Sequence, residues 1–102
     1  EIVYEGFGPG GVGLMIVALT DNSNRSSSEI RFLLHKFGGS LGAPGSVKYM
    51  FNRGAEGEFV ANLKLPLAPA DQEQLLALME NLRDNEDVED VFAACDLLEV
   101  ED

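Results

Sequence analysis

Apolar positions follow three different rhythms along the chain. Ile2 to Phe7 is a short β-prone run that leads into Gly6-Phe7-Gly8-Pro9-Gly10-Gly11-Val12-Gly13, where five glycines and a proline in eight residues predict a tight loop between two strands. Val12 to Thr20 is almost continuously apolar, the pattern of a strand buried on both faces. Beyond it the period changes: Ile30, Leu33, Leu34 and Phe37 fall at i, i+3, i+4 and i+7, which is one face of a helix. Ser26-Ser27-Ser28-Glu29 reads as a capping box at its start and Gly38 as its left-handed stop.

A second glycine-rich loop, Gly38 to Ser46, precedes Val47-Lys48-Tyr49-Met50-Phe51, whose alternation is that of a strand. Asn52 to Glu58 makes a turn into a further strand, Phe59 to Leu65, which Pro66 and Pro69 end. A second helix opens between Pro69 and Asp71, with Asp71 and Glu73 at the positive end of its dipole, and buries Leu75, Leu76, Leu78, Met79 and Leu82. After the polar break from Arg83 to Asp87, Val88 to Cys95 reads as a last strand, and the acidic residues from Glu99 onward read as frayed. A leading strand followed by β-α-β-β-α-β predicts an α+β fold: a two-layer, ferredoxin-like sandwich with two helices on one face of an antiparallel sheet and the other face open. The alternative is the same elements differently threaded.

Composition narrows the picture. With 102 residues, 45% of them hydrophobic, the chain holds one domain over 1–102. The longest apolar stretch, Val12 to Leu19, is well short of the roughly 20 residues of a membrane helix, so no membrane partner is expected. Cys95 is the only cysteine, which rules out an internal disulfide, and too few ligands exist for a structural zinc. The chain begins without methionine, as a fragment or processed product would.

The net charge of −11 is unevenly distributed: residues 71–102 carry twelve acids against Arg83 alone, whereas residues 22–55 carry Arg25, Arg31, Lys36, Lys48 and Arg53 against Glu29. The basic residues, with Asn24, are the candidate contacts for nucleic acid or another partner, forming one patch on an otherwise acidic domain. The rival surface is the acidic set Glu86, Asp87, Glu89 and Asp90, suited to a basic protein partner. Those carboxylates lack the spacing and glycine of a calcium loop.

Other chemistry is thin. Gly6-x-Gly8-x-x-Gly11 has the letters of a dinucleotide fingerprint, but that motif needs a helix N-terminus after it and here a strand follows. His35 is the single histidine, read as structural, and a Cys95–His35 pair has no orienting acid nearby. Tyr49 and Phe51 match an RNA-stacking strand only superficially, and both are expected in the core. No cofactor, metal or catalytic residue is expected.

Three segments together resemble the YebC family, which includes the mitochondrial translational activator of cytochrome c oxidase. They are Tyr4 to Gly11; Asp21-Asn22-Ser23-Asn24-Arg25-Ser26 with Ser28-Glu29-Ile30-Arg31; and Gly38-Gly39-Ser40-Leu41-Gly42 with Gly45-Ser46-Val47-x-Tyr49-Met50-Phe51. Leu75 to Phe92 is a weaker fourth match. The resemblance implies a non-enzymatic regulator of gene expression, since bacterial members are probable DNA-binding transcriptional regulators and others act in translation on ribosomes. It implies a cytoplasmic location, or a mitochondrial one for an organellar member. It also implies a host domain whose inserted domain is replaced by the turn near 52–58 and whose basic N-terminal helical domain is missing, so this chain alone is expected to bind nucleic acid weakly. Ser23 stands where the family is often basic. A protein-interaction module without nucleic-acid contact, and a small-effector sensor at the glycine loops, are the competing readings.

Overall fold

The computed structural model describes residues 1–96; the acidic residues from Glu99 onward lie outside them. Strand β1 (Ile2–Phe7) turns through a short 3-10 segment (Pro9–Gly11) into β2 (Gly13–Ala18), and the two pair antiparallel from Ile2 opposite Ala18 to Phe7 opposite Gly13. Helix α1 (Ser23–Lys36) leads to the two-residue strand β3 (Ser40–Leu41), β4 (Phe51–Arg53) and β5 (Phe59–Ala61) form a hairpin, and helix α2 (Pro69–Arg83) precedes β6 (Val88–Ala93).

Strand order in the main sheet is β3-β1-β2-β6, all antiparallel, with β4-β5 as a separate two-stranded sheet. The α+β class, the antiparallel sheet and the two helices agree with the sequence reading. The ferredoxin-like threading does not carry through: the position beside β2 that this pattern gives to its third strand is held by β1, antiparallel in the same sense. The β4-β5 hairpin, displaced from the sheet, packs on its far side.

The alternation of β2 explains how one sheet serves two cores. Leu14 and Ile16 face the helices and close a cluster with Ile30, Leu34, Leu75, Leu78, Met79 and Leu82. Met15 faces the other way, into a second cluster with Val47, Phe51, Phe59 and Ala94, edged by Val3, Val17 and Phe92. The face expected to be open is therefore partly covered by the hairpin. Phe59 seals it with edge-on contacts to Phe51 and Phe92, at centroid distances of 6.2 and 5.6 Å. Of the two aromatics assigned to the core, Phe51 is buried and Tyr49 exposed; Leu76 also points outward, leaving Leu75, Leu78, Met79 and Leu82 as the buried stripe of α2.

Three local expectations change for identifiable reasons. Helix α1 begins three residues before the proposed capping box: Asn22 is the cap, its Oδ1 accepting the Arg25 N–H at 3.1 Å, and Ser26 sits inside the first turns with its hydroxyl committed elsewhere. The strand expected over Val47 to Phe51 is a 3-10 turn (Lys48–Met50) before β4 starts at Phe51. Its backbone is drawn toward Glu5, a buried residue of β1 whose carboxylate accepts the N–H groups of Gly45 (2.6 Å), Val47 (3.0 Å) and Lys48 (2.8 Å). The strand from Phe59 stops at Ala61, after which Leu65 donates its N–H to Ala94 at the end of the far-face cluster.

The backbone of β1 beside that carboxylate brings the two glycine-rich loops together. Gly42 donates to the Glu5 carbonyl at 2.8 Å, β3 pairs with Gly6 and Phe7, and Gly39 lies so close to β1 that any Cβ there would run into the Phe7 carbonyl oxygen. Gly38, by contrast, has φ +82° and open space around it. Gly38→Ala is therefore expected to cost about 1 kcal/mol, the strain of a left-handed alanine, and Gly39→Ala about 3 kcal/mol, because backbone must move; denaturant unfolding of the two variants measures the difference. Glu5→Gln replaces one acceptor oxygen with a donor that faces an N–H. A loss of about 2 kcal/mol is expected by the same assay, within the range for a buried donor left unpaired.

Candidate nucleic-acid interface

Helix α1 buries Ser26, Ile30 and Leu34, and this fixes what it shows to solvent. Asn24, Ser28, Arg31 and His35 recur at i, i+4, i+7 and i+11 along its outer side, with Phe32 and Lys36 beside them, and all six are exposed. Ser28, Arg31, Phe32 and His35 line a shallow hollow of about 370 Å³. No acidic residue stands in the first turn, and Glu29, the one acid of the helix, is half-buried and turned toward Asn85. Among the described residues neither Arg31 nor Lys36 makes an ion pair. Lys36 instead lies 5.6 Å from the centre of the Phe37 ring.

The predicted basic patch is split by the sheet. Asn24, Arg25, Arg31 and Lys36 belong to α1, whereas Lys48 and Arg53 border a hollow with Val3, Glu5, Met15 and Phe59 on the opposite, hairpin-covered face. Arg53 is also occupied there, its guanidinium 4.1 Å from the Phe59 ring centre and donating to the Gly57 carbonyl at 2.7 Å. Charge order along the sequence hides this, because the chain crosses from one face to the other between β3 and β4.

Arg25 and Asp87, assigned from sequence to rival surfaces, are bonded to each other. Arg25 Nε donates to Asp87 Oδ2 at 3.1 Å and Nη2 to Oδ1 at 2.9 Å, a two-point clamp, while the buried Ser26 hydroxyl donates to Oδ2 at 2.7 Å. Asp87 is buried and so leaves the acidic surface; Glu86, Glu89 and Asp90 remain exposed. The clamp fastens the start of α1 to the start of β6, where the Leu19 N–H also donates to the Asp87 carbonyl at 2.8 Å. Hydrogen bonds from Arg25 and Ser26 hold the Asp87 carboxyl below the ordinary aspartate range.

Cys95 and His35 do not form a pair: the thiol is buried in the helix-side core, where burial pushes its pKa up, and His35 is on the outer side of α1. Among the described residues no three metal-binding side chains cluster, and no helix is long and apolar enough to cross a membrane. Phe32, Ser28 and His35 are site residues that the charge pattern of the sequence does not single out. Their signal is the complement of the buried stripe, visible once Asn24 and Arg31 are placed on one side of the helix.

Residues 1–62 match a family model described as the TACO1/YebC second and third domain. A probable transcriptional regulatory protein of a Hydrogenobaculum species is 43% identical over 94 residues, covering 90% of this chain and 35% of that protein. Another, from Chloroflexus aggregans, is 49% identical over 78 residues, 76% of this chain and 30% of the relative. The chain thus spans about a third of the length of these curated relatives. Its fold is shared with a conserved hypothetical protein of Aquifex aeolicus, with a TM-score of 0.87 and 23% identity over 97% of this chain and 65% of the other.

The Asp87 clamp makes stability depend on acid in one direction. A folded carboxyl held below its unfolded value contributes fully above about pH 4 and loses that contribution as the pH falls through the lower folded value. Asp87→Asn is expected to lower the thermal midpoint at pH 7 and to flatten its decline below pH 4, as read by circular dichroism melts across that range.

Proposed function

The chain belongs to the TACO1/YebC family, and from that membership we propose that it serves a non-enzymatic regulator of gene expression as a docking domain, meeting nucleic acid of the transcription or translation machinery through the outer side of α1. The carrying observation is the acid-free row of Asn24, Ser28, Arg31, His35 and Lys36 on a chain whose net charge is −11. A phosphate backbone is repelled by most of such a molecule, so a surface that offers cations without neighbouring carboxylates is where it makes contact. The regulatory naming of the relatives agrees with this role.

Arg31 and Lys36 are the contacts that do the neutralising, Asn24 adds a neutral polar one, and Arg25 holds the helix start in place through Asp87. Seven bases against 18 acids keep the affinity of the domain alone low.

Arg31→Glu with Lys36→Glu in the intact protein is expected to weaken ribosome co-sedimentation or DNA binding, assayed on one preparation, by about tenfold or more and to reduce the salt dependence by about one to two phosphate contacts. Lys48→Glu with Arg53→Glu, on the far face, is expected to change neither. Unaltered association in the α1 variant, or loss only on neutralising Glu86, Glu89 and Asp90, would replace this reading with that of an acidic protein-interaction module.

A further inference from the structure

Phe32 has no structural employment. It is 66% exposed, the most exposed of the large apolar side chains among the described residues, while Leu33 and Leu34 beside it supply the packing of α1. Single exposed apolar residues are common on protein surfaces and by themselves signify little. The surroundings of this one are specific: Arg31 and His35 line the same hollow, Ser28 closes it with a hydroxyl, and Lys36 follows one turn on. A flat aromatic face bordered by cations, without a competing carboxylate, matches a ligand that is apolar and planar at one point and anionic at the next.

We infer that this face takes an unpaired base of a single-stranded nucleic acid, stacked on Phe32, with the flanking phosphates met by Arg31 and Lys36. The inference rests on the docking role proposed above and adds the kind of nucleic acid. A duplex keeps its bases stacked on one another, and opening a step costs a few kcal/mol. Single strands and loops present free base faces, which aromatic side chains accept with little regard to sequence. An acidic peptide with an apolar residue is the other ligand of comparable chemistry; it would use Arg31 and Lys36 alike, but would not distinguish single from double strands.

The test uses the intact protein with a fluorescent single-stranded RNA of mixed sequence and a DNA duplex of equal length. Phe32→Ala is expected to weaken binding of the single strand roughly 5- to 150-fold and to leave the duplex unchanged, and its exposure keeps the substitution from disturbing the core. This chain contains no tryptophan, so Phe32→Trp adds a reporter at a face that has none: single-strand affinity is expected to be retained and the emission added by the substitution quenched on binding. Equal losses on both nucleic acids, no loss with Phe32→Ala, or an unquenched reporter would overturn the stacking inference. So would a loss confined to ribosome co-sedimentation, which would assign the face to a protein. If Arg31→Glu lowers affinity while Phe32→Ala does not, only this inference fails; if Arg31→Glu is also silent, the docking role fails with it.

Discussion

A carboxylate placed inside a protein must find donors for its oxygens, and Glu5 finds three backbone N–H groups in four residues of a loop forty positions away. Most of the architecture follows from that requirement. To bring Gly45, Val47 and Lys48 to Glu5, the chain after α1 must return along β1, and β3 pairs there as it passes. The 45–48 segment, bent around an anion, is spent as a ladder partner. The hairpin that follows begins on the far face of the sheet and covers it. The glycines of both loops serve this closure: side chains at Gly39 and Gly42 would stand where β1 or Ser46 already stands.

The Asp87 clamp is the counterpart at the other end of the molecule. Two-point contact with Arg25 and the Ser26 hydroxyl satisfies a carboxylate that is nearly buried, and it joins the basic and acidic stretches of the sequence at one point. Charge that looks segregated along the chain is therefore partly neutralised in space. What stays unneutralised is informative for that reason: Arg31 and Lys36 have no such assignment among the described residues, although carboxylates outnumber cations by more than two to one in the chain.

Periodicity made the local elements legible. The apolar run of β2, the i, i+3, i+4 stripe of α1 and the proline at the start of α2 each belong to one segment and can be read within it. Strand order cannot, because β1 and the Phe59 to Leu65 segment have similar β character and only contacts made across the fold decide which lies beside β2. Sequence alone does not separate Asn22 from Ser26 as the cap of α1, because serine and asparagine are near-equal caps and the deciding partner of Ser26, Asp87, is 61 residues on. Of the candidate site, Arg31 and Lys36 emerge from charge alone, and Asn24 only as a neutral neighbour of the basic stretch. Phe32 does not, since an apolar residue beside a helical stripe looks like part of it until the stripe is seen to close without it, and the separation of Lys48 and Arg53 needs the path of the chain around the sheet.

Strand β2 carries two cores on alternate residues, and this has a consequence for how the protein tolerates change in length. One residue gained or lost between Val12 and Ala18 would exchange the linings, sending Leu14 and Ile16 toward the hairpin and Met15 toward the helices, so both cores would fail together. At the hairpin tip from Gly54 to Gly57 the same event only lengthens a solvent-exposed closure, whose entropy grows slowly with its size. The molecule thus combines a spine whose residue count is fixed by geometry with a tip at which chain can be added at little cost to the rest, and indels in descendants of this sequence should be partitioned between them accordingly.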